Sequence, residues 1–308
     1  MTVSFWTSLI SGMILAGMPL LFASLGETIS EQSGILNIGL EGMMLVGAYA
    51  GFVAALYSHS PWVGVIAGIA GGMVMSGIMA VFCVRLGLDQ IVVGIAILLV
   101  GEGLTSLLHG AQFGSSYPRL GGMMRIEIPL LSKIPVIGPS IFSQPLIFWL
   151  GIALALVVRW VLKSTNWGLN IRAAGEKPGA LDAAGVNVTW TRTAAVLTTG
   201  AFAGIGGAYM AIVGSGIFVP FMTNGLGFIA IVIAMLARGR ALWALAGSFL
   251  FGICLQIGTS LQVAGIDIPT DVIFMLPFLV VMVVLVISAR QAYLPAALCV
   301  PYKRGKKG

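Results

Sequence analysis

Six stretches of this chain, residues 1–26, 42–84, 134–158, 193–237, 241–266 and 272–289, contain no Asp, Glu, Lys or Arg. An α-helix needs about 20 apolar residues to cross the hydrocarbon core of a bilayer. Each stretch therefore has room for a span. Residues 42–84 have room for two, with Ser58–His59–Ser60–Pro61 as the turn between them. Charged residues are 8% of the 308 and hydrophobic ones 58%, with a mean hydropathy of +1.05. Soluble domains carry about 25% charged residues. That composition excludes an ordinary soluble enzyme, a disordered chain and a nucleic-acid-binding domain. The expected fold is all-α, a polytopic helical bundle embedded in the lipid bilayer. The net charge of +6 does not argue for a nucleic-acid partner, because the cations sit at segment ends, where lipid headgroups draw them.

Nine hydrophobic segments, within a range of eight to ten, are expected at 5–25, 34–57, 61–84, 90–109, 145–163, 193–213, 225–238, 241–261 and 271–289. The first lacks a basic leader and reads as a retained span. The seventh is short and follows the Gly/Pro-rich stretch 214–220, the mark of a broken or re-entrant helix. One membrane domain, 1–308, is expected, with an outer loop at 110–144, a polar inner loop at 164–192 and a basic tail at 290–308. If the tail is cytosolic, the cytosolic side carries Arg85, Arg159, Lys163, Arg172, Lys177, Arg192, Arg238, Arg240, Arg290, Lys303, Arg304, Lys306 and Lys307. The other side carries only Arg119, Arg125 and Lys133. This bias predicts a cytosolic C-terminus and, with nine crossings, an outer N-terminus.

Small residues repeat at four-residue spacing in Gly47/Gly51, Gly64/Gly68/Gly72 and Gly200/Gly204, a pattern for close helix packing inside one bundle. Acids inside a membrane are functional candidates. Glu41 is expected one turn into the second segment, sharing a face with Asn37. It is either a polar lock to a neighbouring helix or a wall of a translocation path. Glu102 is expected at the outer mouth of the fourth segment, and Glu27 and Glu31 in the inner turn before the second. No basic residue lies at mid-membrane depth to pair with them. Asn224, Gln256, Gln262 and Gln90 suit either a neutral polar solute or interhelical hydrogen bonds. Phe218, Phe221 and Phe228 suit lipid-facing packing or stacking on a planar base.

In the inner loop, Pro178 and Gly185 bracket a short helix over Ala180–Ala184, with Leu181 and Ala184 on one side and Asp182 on another. A short helix outside the membrane without a core needs a partner surface, which makes it a docking knob. Walker A, HExxH and GxSxG motifs are missing. The scattered Cys83, Cys254, Cys299, His59 and His109 do not form a metal-ligand pattern. The chain reads as a non-enzyme without a cofactor of its own.

Four stretches carry a resemblance. Ser33–Gly–Ile–Leu–Asn–Ile–Gly–Leu–Glu–Gly–Met–Met–Leu–Val–Gly–Ala–Tyr49 and Leu88–Asp–Gln–Ile–Val–Val–Gly94 resemble the second-helix signature and the stretch before the fourth span in membrane permeases of bacterial ABC importers. The branch is the one shared by branched-chain amino acid, ribose-type sugar and nucleoside systems, in its nucleoside-type form. Ala174–Gly–Glu–Lys–Pro–Gly–Ala–Leu–Asp–Ala–Ala–Gly–Val–Asn–Val188 resembles the family's coupling loop, and Thr199–Tyr209 also fits.

The resemblance implies a type II importer fold in the bacterial cytoplasmic membrane. It implies a cytosolic ABC ATPase, holding ATP and Mg, docked on Gly175, Glu176, Lys177, Pro178, Leu181, Asp182, Ala184 and Gly185. It also implies a second permease subunit, identical or related, and an extracytoplasmic binding protein that delivers nucleosides or related purine compounds. Asn37, Glu41, Glu102, Asn224 and Gln256 are the candidate path residues. A simple sugar such as ribose is the alternative cargo. A self-contained secondary transporter or channel is the alternative class, but it predicts paired intramembrane charges and no docking helix.

Overall fold

The computed structural model describes residues 2–124, 132, 137–263, 275–276, 279–283, 286 and 294–303. Eleven helices appear among them: α1 (Thr2–Gln32), α2 (Leu40–Ser58), α3 (Pro61–Met79), α4 (Gln90–Phe113), α5 (Ile137–Ile141), α6 (Leu146–Ser164), α7 (Asn166–Glu176), α8 (Pro178–Ala183), α9 (Val188–Tyr209), α10 (Leu226–Ala237) and α11 (Ala241–Val263). Wider π turns prolong α3 over Ala80–Arg85 and α9 over Met210–Ser215. Seven helices are long and apolar enough to cross a membrane: Phe5–Gln32, Leu40–Ser58, Pro61–Arg85, Gln90–Phe113, Leu146–Ser164, Val188–Ser215 and Ala241–Gly258. The chain is a multi-pass helical membrane protein.

The expected count of about nine is corrected to seven full spans among the described residues. The seventh segment is α10, whose 12 residues extend about 18 Å, roughly half the hydrocarbon thickness. The ninth, 271–289, lies for the most part outside the described residues.

Three boundaries also move, the third at α9, which begins at Val188 rather than at 193. α1 continues to Gln32, so Glu27 and Glu31 are helical and buried rather than in a turn. The Thr199 hydroxyl donates to the Gly26 carbonyl at 2.7 Å and ties this extension to α9. α2 begins at Leu40, not at 34, because side chains satisfy the intervening backbone. Glu27 accepts from the Asn37 amide at 2.9 Å, and Gln90 accepts from the Leu36 amide at 2.8 Å. The Ser30 hydroxyl donates to the Ile35 carbonyl at 2.8 Å. Gly34 supplies the left-handed φ of +90° that reverses the chain after α1. Asn37 therefore lies in a turn, and it shares no helix face with Glu41.

α1, α2 and α9 are the most buried spans and form the centre. The glycine repeats form a seam among α2, α3 and α9. A side chain at Gly204 would run into the Gly68 backbone, one at Gly72 into Gly200, and one at Gly47 into Gly204. These helices touch backbone to backbone, as small residues in membranes allow. α4 packs on α2 through the stripe Val93, Gly94, Ile97, Gly101, Thr105 and His109. Its far face shows Val92, Leu99 and Leu107 to the outside. The Asp89 carboxylate starts α4 by accepting from the Ile91 and Val92 amides at 2.8 and 3.0 Å.

Candidate functional site

α10 begins inside the bundle, and its start is held by a carboxylate from another helix. Glu41, in the first turn of α2, is 3% exposed. One of its oxygens accepts from the Gly225 amide at 2.7 Å and the other from the Gly227 amide at 2.5 Å. Free amides and a partial positive charge mark any helix start. Here the bundle supplies the anion from a distant position in sequence. Gly225 has φ of +86°, which turns the chain into α10. A side chain at Gly227 would overlap Glu41, so glycine allows the close approach. Asn224, exposed and left-handed at φ of 42°, immediately precedes this contact. Glu41 and Asn224 are thus brought together.

The other candidate path residues lie elsewhere. Asn37 is buried, and its side-chain amide donates to the Met43 sulfur at 3.3 Å. Gln256 is half-buried on α11 and packs over Gly12 of α1, where any side chain would displace it. Glu102 is half-buried on α4, flanking the stripe that packs on α2. Gln90 is a structural hydrogen-bonding residue of the 33–39 turn, and Gln262 lies beyond the described side chains.

Phe218, expected as a lipid-facing or base-stacking residue, is fully buried. Its ring lies 5.1 Å from Tyr49, 6.3 Å from Phe52 and 5.7 Å from His109. Tyr49 donates to the Gln112 carbonyl oxygen at 2.7 Å, and the Gln112 amide donates to the Tyr57 hydroxyl at 2.9 Å. This aromatic plug ties α2, α4 and the 216–225 stretch together on the approach to α10. Phe221 and Phe228 remain exposed at 52% and 40%.

The loop at 164–192 is the helical hairpin α7–α8. The Thr165 hydroxyl accepts from the Gly168 amide at 3.1 Å and starts α7. Pro178 opens α8. After Ala184 the Gly185 amide donates to the Asp182 carbonyl at 2.9 Å and the Val186 amide to the Leu181 carbonyl at 3.2 Å. With Gly185 at φ of +83°, this is a Schellman stop. Asn187 then starts α9 by accepting from the Trp190 amide at 2.9 Å. Leu181 is buried with Ala174 and Val188, beside Val186 and Tyr302. Lys177, Gly179, Ala180, Ala183, Ala184 and Gly185 face outward, while Glu176, Pro178 and Asp182 are half-buried. A recess of about 300 Å³ beside α8 is lined by Asp182, Gly185, Asn187, Thr189 and Tyr302 among others.

This hairpin joins the bundle at one junction that sequence reasoning missed. Gly175 lies against the end of α1, and a side chain there would strike the Gln32 carbonyl. Arg192, 2% exposed, donates to the Ala174 carbonyl at 3.0 Å and to the Val300 carbonyl at 2.9 Å. The Ala297 amide donates to the Gly175 carbonyl at 2.8 Å, and the Cys299 amide to the Gly34 carbonyl at 3.1 Å. The α1 end, the hairpin, the α9 start and the 294–303 segment are therefore tied together at one point. The available signal was Arg192 itself, the last cation before a 45-residue charge-free run.

Comparison with known proteins agrees with these features. The branched-chain amino acid transport system / permease component family matches residues 9–286. The nucleoside ABC transporter permease protein NupC of Lactococcus lactis subsp. cremoris is 33% identical over 97% of both chains. The guanosine ABC transporter permease protein NupQ of Bacillus subtilis is 33% identical over 94% of both. The putative glucose ABC transporter permease protein TsgC13 of Haloferax volcanii is 37% identical over 82% of this chain and 77% of its own. A multi-pass bundle with a broken helix inside it and a helical hairpin outside it, matched over nearly its whole length, belongs to the ABC transporter permease family of branched-chain amino acid type.

Proposed function

We propose that this chain is the membrane-spanning half of an ATP-driven importer for nucleosides or related purine compounds. The observation that carries the cargo is the end-to-end match to two permeases named for nucleosides and guanosine. The broken helix supports a neutral solute. Half-helix starts inside transporters serve as anion sites, but here the chain's own Glu41 fills that position. A neutral cargo does not compete with a carboxylate for it.

The hairpin supports the partner reading. α8 buries Leu181 inward and turns Gly179, Ala180, Ala183 and Ala184 outward, a small, smooth knob suited to a socket. In the proposed machine a cytosolic ABC ATPase, holding ATP and Mg, grips α8. Its closure rocks the hairpin, and the Gly175–Arg192 junction passes the motion to α1 and α9. A second permease chain completes the path, and an extracytoplasmic binding protein delivers the cargo. The bias of basic residues supports a cytosolic side for the hairpin and the C-terminal segment of a chain that spans the cytoplasmic membrane.

Competition in cells expressing this chain with its partner subunits tests the cargo. Labelled guanosine uptake should fall at least tenfold with excess adenosine or guanosine and stay within twofold with ribose or glucose. The reverse pattern selects the second reading, a sugar importer, which the similarity to TsgC13 favours.

A further inference from the structure

A cleft of about 560 Å³ opens where the end of α6, α7 and the turn between α10 and α11 meet. Arg159 and Lys163 reach it from α6, Arg172 from α7, and Arg238 and Arg240 from the turn. Its lining holds five cations and no carboxylate among the described residues. Gln32, at the end of α1, also lines it. That residue is 7% exposed, and its side-chain nitrogen has no hydrogen-bond partner. Helix C-termini and the membrane surface explain why cations gather at this end. They do not explain why five of them converge on one concavity with a buried donor left over.

A second cavity of about 380 Å³ shares Arg238, Arg240 and Trp243 with the first. It continues between α10 and α11 over Ile233, Leu236, Ala246, Gly247, Leu250 and Phe251. This half is apolar. Trp243, 62% exposed, stands where the two meet, the usual depth of an indole at a membrane interface. An anionic cleft ligand with a hydrocarbon tail matches both halves, and a free anion matches only one.

We propose that this is a binding site for an anionic phospholipid, with its phosphate in the cationic cleft and an acyl chain along the α10/α11 groove. Arginine forks hold phosphate oxygens in paired hydrogen bonds, and basic pockets between spans are suited to lipid headgroups. The lipid would wedge between α6, which leads into the α7–α8 hairpin, and α10, the broken helix. Its binding would therefore bear on the coupling route.

The test uses the full-length chain in detergent, with native mass spectrometry and thermal unfolding as readouts. Phosphatidylglycerol or cardiolipin should bind at least tenfold tighter than phosphatidylcholine and raise the unfolding temperature, while inorganic phosphate should not. Arg159→Gln/Lys163→Gln/Arg240→Gln should bring the preference to within about twofold. Gly247→Leu, which fills the groove, should weaken lipid retention at unchanged cleft charge. If the triple variant does not fold, loss of the wild type's preference in 1 M salt serves instead.

Equal binding of phosphatidylcholine overturns the proposal. Equal stabilisation by inorganic phosphate reassigns the cleft to a free anion. Unchanged lipid preference in the triple variant with loss of ATPase co-purification reassigns it to a protein contact.

Discussion

At the residue scale, Glu41 is the side chain on which the interior geometry turns. Replacing it with alanine strips the part-buried Gly225 amide and the buried Gly227 amide of their acceptors. Each orphaned group costs about 1–3 kcal/mol. Glu41→Ala should therefore lower the thermal unfolding midpoint and abolish uptake. Glu41→Gln keeps one acceptor oxygen but turns an NH₂ toward an N–H, and it removes the charge that opposes the helix dipole. It should fold and lose roughly tenfold in uptake, about 1.4 kcal/mol in rate terms. Full uptake in Glu41→Gln would mean that the contact is packing alone. The sequence marked Glu41 as special but paired it with Asn37, because a four-residue spacing signals one face only where the chain is helical. The side chains of Glu27 and Gln90 hold residues 36 and 37 out of the helix, and such long-range backbone capping has no local signature.

At the element scale, the glycine seam and the hairpin make opposite predictions for similar substitutions. Gly204→Leu pushes a side chain into the Gly68 backbone. Overpacking of this kind costs roughly 1–3 kcal/mol or more, and the variant should lose yield and monodispersity in detergent. Gly103→Leu, with nothing within 4 Å of an added carbon, should change the unfolding midpoint little. The seam was legible because small-residue spacing is a property of one helix. Helix α8 was legible because Pro178 and Gly185 are local start and stop signals. The junction beneath it was not, since it unites residues 34, 175, 192, 297 and 300 from four parts of the chain. Gly175→Val, which drives the hairpin off the Gln32 carbonyl, should insert and still bind the ATPase partner. Transport should fall at least tenfold while ATP hydrolysis continues. Loss of ATPase binding in the same variant would move the defect from transmission to docking.

At the scale of the whole molecule, the described bundle holds one short helix, α10, with an aromatic cluster around Phe218 ahead of it, and a hairpin hydrogen-bonded to the bundle. Holding a solute gradient takes a supply of free energy. In the proposed importer that supply comes from a hydrolysing partner. The prediction follows from linkage: a protein without a differential energy input can equilibrate its solute but not concentrate it. In vesicles holding the chain alone, labelled guanosine inside should never exceed the outside concentration. Adding the ATPase, the binding protein and ATP should raise it several-fold. Adding them with Glu176→Lys or Gly185→Pro in the hairpin should not, because the first reverses a charge next to α8 and the second removes the Gly185 amide that closes the Schellman stop. Uphill accumulation by the chain alone would mean that a coupling ion does the work. The half-buried Glu102, an acid on the flank of α4, would then be the first residue to neutralise.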